Sequence, residues 1–148
     1  LKITPDGQKK YQIESYYHGQ WKPEYEPWVR LATGWLSSPD YPNVAWNSAL
    51  TYDMIFTQPV CYEFGDLDVP TLLVVGSLDR TALGRQWAPD DVKETLGDYP
   101  NLAKSAASEI AGCQLEILEG VGHVPQIEAP DILFPILLKF LQDSSNEP

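Results

Sequence analysis

The sequence is poor in histidine and in the basic residues lysine and arginine. Its 148 residues include two histidines, His18 and His123, so a histidine-rich metal cluster is excluded. Ten lysines and arginines stand against 21 aspartates and glutamates, which gives a formal net charge of -11. Because binding to phosphate groups needs a concentrated positive field, this balance argues against nucleic acid or an anionic membrane as a partner.

Cysteines and long apolar runs are also scarce. Cys61 and Cys113 lie 52 residues apart, and we expect two isolated buried thiols rather than a disulfide. No apolar run approaches the roughly 18 residues that a membrane-spanning helix needs. The chain begins with Leu1 and shows no charged segment followed by an apolar one, the pattern of a secretory signal. We expect that Leu1 is not the natural first residue.

Apolar residues make up 43% of the chain, which is enough for a folded core. Residues 1–60 are rich in aromatics and interrupted by prolines, with helical rather than alternating patterns. Thr4 followed by Pro5 and Asp6 predicts a helix N-terminus, because a threonine oxygen caps backbone N–H groups and proline fits the first helical position. Two further helices are predicted by the segments "PEYEPWVRLATGWL" and "NVAWNSALTYDMIF".

Residues 66–141 have a different character. The apolar run at 69–75, which contains Pro70 and is closed by Gly76, predicts a strand covered on both faces, as in a parallel sheet. "DYPNLAKSAASEIAG" predicts a helix stopped by Gly112, "CQLEILEG" a second strand, and "APDILFPILLKFLQ" a final amphipathic helix. Pro135 lies inside that last helix or begins its regular part. This order of elements predicts an α/β fold.

Each predicted strand ends in a residue suited to proton transfer. Asp79 follows the first strand in "GSLDRTA", and His123 follows the second in "GVGHVPQ". Because the carboxyl ends of parallel strands lie along one edge of a sheet, we expect the two side chains to meet there. The carboxylate would then orient the imidazole as a general base. The alternatives are a loop histidine held by local hydrogen bonds and an aspartate paired locally with Arg80.

The segments "VPTLLVVGSLDRTA" and "LEGVGHVPQIEAPDILFPILLKFL" resemble the C-terminal part of an α/β-hydrolase. In that fold the catalytic triad runs in the order nucleophile, acid, histidine. The resemblance implies Asp79 as the acid, His123 as the histidine, residues 1–60 as a helical cap and residues 61–148 as the C-terminal part of the core. It implies an esterase-like enzyme acting on a small-molecule ester, without a metal or organic cofactor.

The chain lacks the G-x-S-x-G motif that carries the nucleophile in this fold. Its serines, among them Ser48, Ser77, Ser105 and Ser108, do not lie on a glycine-flanked turn between strand and helix. We therefore expect the nucleophile in an N-terminal half that is a separate or missing chain. The alternatives are a non-catalytic pseudoenzyme or binding module, a C–C, epoxide or haloalkane hydrolase, and an aminopeptidase.

The remaining candidate residues are assigned mainly structural roles. We expect Glu128 to be a structural partner of the histidine loop and His18 to be a surface or packing residue. The aromatic residues of the first segment are expected mainly in the core of the cap, with one or two facing the cleft; they are Trp21, Tyr25, Trp28 and Trp35. For Glu24 and Glu26 we expect a solvated face rather than binding of a substrate amine, and for Arg80 and Arg85 contact with an anionic substrate is the alternative to a surface position.

Overall fold

The computed structural model describes residues 4–144, in which two short parallel strands pair at the centre of a mainly helical chain. Strand β1 is Leu72–Gly76 and strand β2 is Gln114–Leu118, with Leu72 opposite Gln114. This mixture is compatible with the predicted α/β class. The α-helices are α1 (Pro5–Ser15), α2 (Glu26–Gly34), α3 (Tyr41–Thr57), α4 (Asp90–Lys93), α5 (Tyr99–Glu109), α6 (Pro125–Glu128) and α7 (Pro130–Ser144). Short 3-10 helices occur at Pro23–Tyr25, Trp35–Ser37, Val60–Asp66 and Arg85–Trp87.

The predicted N-terminus of α1 is confirmed. The Thr4 hydroxyl accepts a hydrogen bond of 3.1 Å from the backbone N–H of Gly7, and Pro5 is the first helical residue. This cap satisfies one of the N–H groups that have no partner within the helix.

The strand and helix ends differ from the predictions by a few residues. Strand β1 begins at Leu72 rather than residue 69, after Pro70, which has no N–H to donate to a neighbouring strand. Helix α5 ends at Glu109, and Gly112 follows with a φ of +68°, a left-handed conformation that favours glycine. Pro135 lies inside α7, which resolves the ambiguity of the sequence.

The two faces of the small sheet are covered by different helices. Leu118 is buried together with Val121 and with Leu133 of α7, and Val74 packs against this group. Because side chains alternate along a strand, Leu73 and Val75 point to the opposite face. There they line a largely apolar cleft of about 420 Å³ together with residues of α5.

A second core cluster joins the N-terminal segment to the loop that follows β2. Tyr17 and Tyr25 stack with their ring centroids 3.9 Å apart, and both are buried against Val124. Residues 16–25 are therefore packed on the loop that carries His123. The predicted division into a cap at 1–60 and a core at 61–148 falls at the start of the 3-10 helix Val60–Asp66, and it stays a prediction.

Much apolar surface is left uncovered. A compact monomer of 16.6 kDa exposes about 7,600 Å² of accessible surface, whereas this chain exposes 10553 Å². No residue of α3 is buried, although the helix is predominantly apolar. Its large exposed side chains are Trp46, Leu50, Tyr52, Met54, Ile55 and Phe56. Apolar surface of this extent is characteristic of a face that packs against other protein.

Cys61 and Cys113 are both free thiols, as expected. The expectation that both are buried is wrong: Cys61 is exposed at the lining of the apolar cleft, and Cys113 is only partly buried. Among residues 4–144, no helix has both the length and the hydrophobicity required to cross a membrane.

The close approach of β1 to the histidine loop makes Gly76 sensitive to substitution. A Cβ at this position would collide with the backbone carbonyl oxygens of Val121 and Gly122, which cannot move independently of the loop. We expect Gly76→Ala to lower the free energy of unfolding by about 2 kcal/mol or more, as overpacking of a core does. Urea denaturation of the complete protein measures this change.

Gly34→Ala is the matched control, because a Cβ on Gly34 meets no atom within 4 Å at the end of α2. We expect it to leave stability unchanged or to raise it by up to about 1 kcal/mol, since alanine is the better helix former. Equal effects of Gly76→Ala and Gly34→Ala on the free energy of unfolding would contradict the close approach of β1 to the histidine loop.

Candidate active site

Asp79 is held in a turn that extends the pairing of the two strands. Beyond Gly76, the backbone N–H of Ser77 donates to Leu118 O at 2.9 Å and that of Leu78 donates to Val121 O at 2.9 Å. The chain then turns, with the N–H of Asp79 directed at Gly76 O at 3.2 Å. The turn buries Asp79, which is 4% exposed.

His123 lies in a loop that is held from two sides. Its backbone N–H donates to Tyr16 O at 2.8 Å, which ties the loop to the end of α1. The Glu128 carboxylate accepts hydrogen bonds from the N–H groups of Gly122 and Val124, at 3.1 and 3.3 Å. These contacts agree with the interpretation of Glu128 as a structural partner of the loop.

The structure brings the two predicted site residues together. His123 Nδ1 lies 2.7 Å from Asp79 Oδ2, at the carboxyl ends of β1 and β2. The alternative of a local pair with Arg80 is wrong for the carboxylate. Arg80 instead donates to backbone oxygens, those of Asp79 at 2.7 Å and Ser77 at 3.3 Å. The Asp79 side chain is left to interact with His123 and one further residue.

That further residue is Thr81, which the sequence analysis missed. Its backbone N–H and its hydroxyl donate to Asp79 Oδ1 at 2.8 and 2.9 Å. The same hydroxyl oxygen lies 3.0 Å from His123 Nδ1. The signal available in the sequence was the short spacing of Asp79 and Thr81, because an aspartate often caps the N–H two residues later.

These contacts keep Asp79 ionised. Burial alone would raise the pKa of its carboxyl, but the hydrogen bonds from His123 and Thr81 outweigh burial and lower the pKa below its ordinary value of 3.8. An ionised carboxylate at Nδ1 favours the imidazole form that carries its proton on Nδ1. The other ring nitrogen, Nε2, is then able to accept a proton.

A cavity of about 200 Å³ lies beside the imidazole. Tyr16 and Tyr99 contribute rings whose centroids are 4.9 and 6.2 Å from that of His123, and Tyr11 and Tyr52 complete an aromatic wall. Within residues 4–144, no group hydrogen-bonds Nε2. The described chain therefore leaves this nitrogen without a hydrogen bond, in a residue that lines the tyrosine-walled cavity.

Two phenols of this cavity, those of Tyr11 and Tyr16, are neutral hydrogen-bonding groups. Burial raises the pKa of Tyr11, and the neighbouring phenols of Tyr16 and Tyr52 raise it further. Burial and Tyr52 likewise raise the pKa of Tyr16. Neutral phenols donate and accept hydrogen bonds, so this wall suits an uncharged polar group.

The aromatic residues singled out by sequence are placed differently. Tyr25 is buried and Trp21 is packed beside it, in the cluster that joins the N-terminal segment to Val124. Trp28 and Trp35 are 46% and 53% exposed and lie outside the core of the described chain, and neither lines the cavity beside His123. His18 is exposed, as expected of a surface residue.

None of the four serines named from the sequence hydrogen-bonds His123 within residues 4–144. Ser77 Oγ accepts a hydrogen bond of 2.9 Å from the N–H of Gly120, and Ser48 donates to Val44 O within α3. Ser105 and Ser108 lie on α5, as predicted. In the part of the chain that the structure describes, no three metal-binding side chains are grouped in a way that could hold an ion.

The hydrogen bond from the Thr81 hydroxyl to Asp79 allows a test of what lowers the pKa of this carboxyl. Thr81→Val removes one donor to the Asp79 carboxylate while the backbone donor remains. We expect the pKa of Asp79 to rise towards its ordinary value and the free energy of unfolding to fall by about 1.5–3 kcal/mol at neutral pH, as for a hydrogen bond to a charged group. Urea denaturation at a series of pH values measures both effects.

The sign of the pH dependence follows from the lowered pKa. The ionised carboxylate contributes its full stability above pH 3.8, and this contribution is lost as the pH falls through the lower pKa of the folded state. The difference between Thr81→Val and the wild type should therefore shrink below that pH. Thr33→Val removes a hydroxyl bonded only to backbone oxygens in α2 and serves as the control. If the free energy of unfolding of Thr81→Val stayed below that of the wild type by a constant amount down to low pH, the lowered pKa of Asp79 would be contradicted.

Comparison with known proteins adds one informative match. No protein-family model matches the chain, and neither does any curated protein. Among solved structures, the crystal structure of a probable hydrolytic enzyme from Pseudomonas aeruginosa PAO1 is 45% identical in sequence and superposes with a TM-score of 0.90. The match covers 95% of this chain and 45% of that protein, so the chain spans less than half the length of the relative. Over residues 4–144 the chain has the fold of the matched part of this hydrolase-like protein.

Proposed function

We propose that these 148 residues form the C-terminal part of an α/β-hydrolase that cleaves small-molecule carboxylic esters. The observation that carries the proposal is the 2.7 Å contact between His123 Nδ1 and Asp79 Oδ2 beside an open cavity. An acid that orients a histidine in this way is two thirds of a Ser-His-Asp triad. The similarity to a probable hydrolytic enzyme supports the hydrolase class.

The chemistry assigns separate tasks to the two residues. A nucleophile outside the chain attacks the ester carbonyl while His123 Nε2 takes its proton. Asp79 stabilises the imidazolium that forms, through the hydrogen bond at Nδ1. His123 then donates the proton to the leaving alcohol, and a water molecule activated in the same way releases the acid.

The proposal requires a second body of protein that supplies the nucleophile. Its support is the uncovered apolar surface of the chain, above all that of α3, together with the two-stranded sheet of the described residues. A sheet with apolar faces and an unpaired edge packs well only against further strands and helices. More than half of the relative lies outside the match, and we propose that an equivalent N-terminal part covers this surface.

Residues 1–60 are proposed to act as a cap that selects substrates. They supply three of the four phenols in the wall of the cavity, those of Tyr11, Tyr16 and Tyr52. The cap side chains meet the ester on the side where the acyl or alcohol part must fit. Differences in substrate shape are then detected by residues that take no part in proton transfer.

The assignment of the base is tested by His123→Asn in the complete enzyme. Loss of the proton acceptor should reduce turnover of a 4-nitrophenyl ester by about 10²–10⁴-fold, the usual contribution of general-base catalysis. Asp79→Asn should cost less, because the base remains but its proton is placed on the wrong nitrogen. Steady-state kcat and KM for both variants, with circular dichroism as a check on folding, provide the measurement.

His18→Asn is the matched control, since this exposed histidine has a φ of +50°, which asparagine tolerates. It should retain full turnover. The 148-residue chain alone should show no saturable hydrolysis, because it lacks the nucleophile. Retention of more than about a tenth of wild-type turnover in His123→Asn would refute the general-base role.

The cap hypothesis is tested at Tyr52. Tyr52→Ala enlarges the cavity beside His123, and we expect it to change the ratio of kcat/KM between acetyl and octanoyl esters. The change should correspond to about 1–3 kcal/mol in the difference between the transition-state free energies of the two esters. Tyr62→Ala is the control, because Tyr62 is 85% exposed and does not line this cavity. A uniform loss of rate with both esters, matched by a loss of folded protein, would show that Tyr52 has a purely structural role.

A further inference from the structure

Three positively charged side chains of this acidic protein are grouped in one cavity. Arg80, Arg85 and Lys93 line a space of about 340 Å³, to which Glu14 contributes the one acidic side chain of the described lining. The whole chain carries ten lysines and arginines and a net charge of -11. A local excess of positive charge against this background marks a place where an anion is favoured.

The cationic cavity adjoins the cavity beside His123. Tyr11, Thr81 and Ala82 line both spaces. Thr81 is the residue whose hydroxyl contacts both members of the Asp79–His123 pair. A ligand that extends past Thr81 therefore reaches from the imidazole into the positively charged space.

Arg85 is oriented but not neutralised. Its Nη1 donates to Arg80 O at 2.8 Å and to Leu96 O at 3.1 Å, and these neutral acceptors leave the guanidinium with its full charge. Within the described residues, no carboxylate forms an ion pair with Arg85. A guanidinium held in one orientation presents its remaining N–H groups to an oxyanion at a reduced entropic cost.

The other two cations are only weakly paired. Arg80 Nη1 lies 3.9 Å from Asp98, and Lys93 lies 2.9 Å from Asp90, whose side chain is 98% exposed. Exposed pairs of this kind exchange readily with solvent and contribute little energy. Glu14 is itself 3.8 Å from Lys10 on the exposed side of α1. Arg85 therefore stands out in this cavity as a cation with no carboxylate within 4 Å among the described residues, beside two cations whose pairs are exposed.

We propose that this cavity binds an oxyanion group of the substrate, a carboxylate or a phosphate, while the bond to be cleaved lies at His123. The inference rests on the proposed function and refines it: the substrates are esters that carry an anionic group a few atoms from the reacting carbonyl. The tyrosine wall holds the neutral part, and Arg85, with Arg80 and Lys93, holds the charge.

The kinetic test uses two esters of similar length in the complete enzyme, the 4-nitrophenyl monoester of glutaric acid and neutral 4-nitrophenyl valerate. We expect Arg85→Gln to lower the ratio of kcat/KM for the anionic over the neutral ester by about ten-fold or more, as expected for a lost hydrogen bond to a charged group. Arg85→Lys should restore part of the ratio. An unchanged ratio in a folded Arg85→Gln enzyme overturns the inference.

Two further variants separate binding from folding. Lys93→Gln removes a charge whose described hydrogen bond is to Asp90 alone, so the backbone is undisturbed, and it should lower the same ratio to a smaller extent. Lys104→Gln removes an exposed charge on α5 that lies outside the cavity and should leave the ratio unchanged. An equal fall in Lys104→Gln would show a general effect of net charge and would overturn the inference.

A binding experiment distinguishes failure of the anion site from failure of the hydrolase proposal. Glutarate and inorganic phosphate are titrated separately into the complete protein by calorimetry, and the relative affinities identify the preferred oxyanion. Binding that Arg85→Gln weakens at least about ten-fold supports the site even if no ester is hydrolysed, in which case the hydrolase proposal alone fails. Absence of binding by either anion at millimolar concentration, with active ester hydrolysis, overturns the inference alone.

Discussion

The parallel pairing of β1 with β2 is the constraint on which the rest of the site depends. Because both strands run in the same direction in register, their carboxyl ends meet, and the ladder continues for two more hydrogen bonds beyond Gly76. This continuation places the turn of Asp79 directly beside the loop of His123. The close backbone approach is possible because Gly76 has no side chain at the point of contact.

The imidazole is positioned by three independent parts of the chain. Asp79 holds Nδ1, Glu128 holds the loop from the side of α6, and the carbonyl of Tyr16 holds the backbone of His123 from the end of α1. The N-terminal segment therefore contributes to the geometry of the site as well as to its wall. A cap that moved as a whole relative to the core would have to break the contact between Tyr16 and His123.

Apolar, phenolic and positively charged surfaces all lie near His123. An apolar helix, α3, is uncovered along its length, yet Tyr52 from the same helix lines the cavity of His123. On the far side of Thr81 lies the cationic cavity around Arg85. Apolar surface favours burial against protein, while phenols and guanidinium groups favour a polar, anionic ligand. These preferences involve different side chains, because Tyr52 is the one residue of α3 in the described lining of either cavity.

Sequence patterns by themselves determined the local features and the two central residues. The cap at Thr4, the order of strands and helices, and the positions of Asp79 and His123 at strand ends all follow from short-range rules of periodicity and backbone chemistry. The resemblance to α/β-hydrolases relied on the same short segments. The sequence did not separate the buried Tyr25 from the exposed Trp28 and Trp35, because a helical stripe predicts an apolar face without stating what that face meets.

Only the tertiary structure decided which other side chains surround the imidazole. Tyr11, Tyr52 and Tyr99 come from three helices spread over 88 residues of sequence, and no local pattern indicates that they converge. The grouping of Arg85 with Lys93 beside Thr81 likewise depends on how the long segment between β1 and α5 folds back. Contacts between residues distant in sequence are set by the packing of whole elements, and that packing depends on many weak interactions acting together, which short-range patterns do not encode.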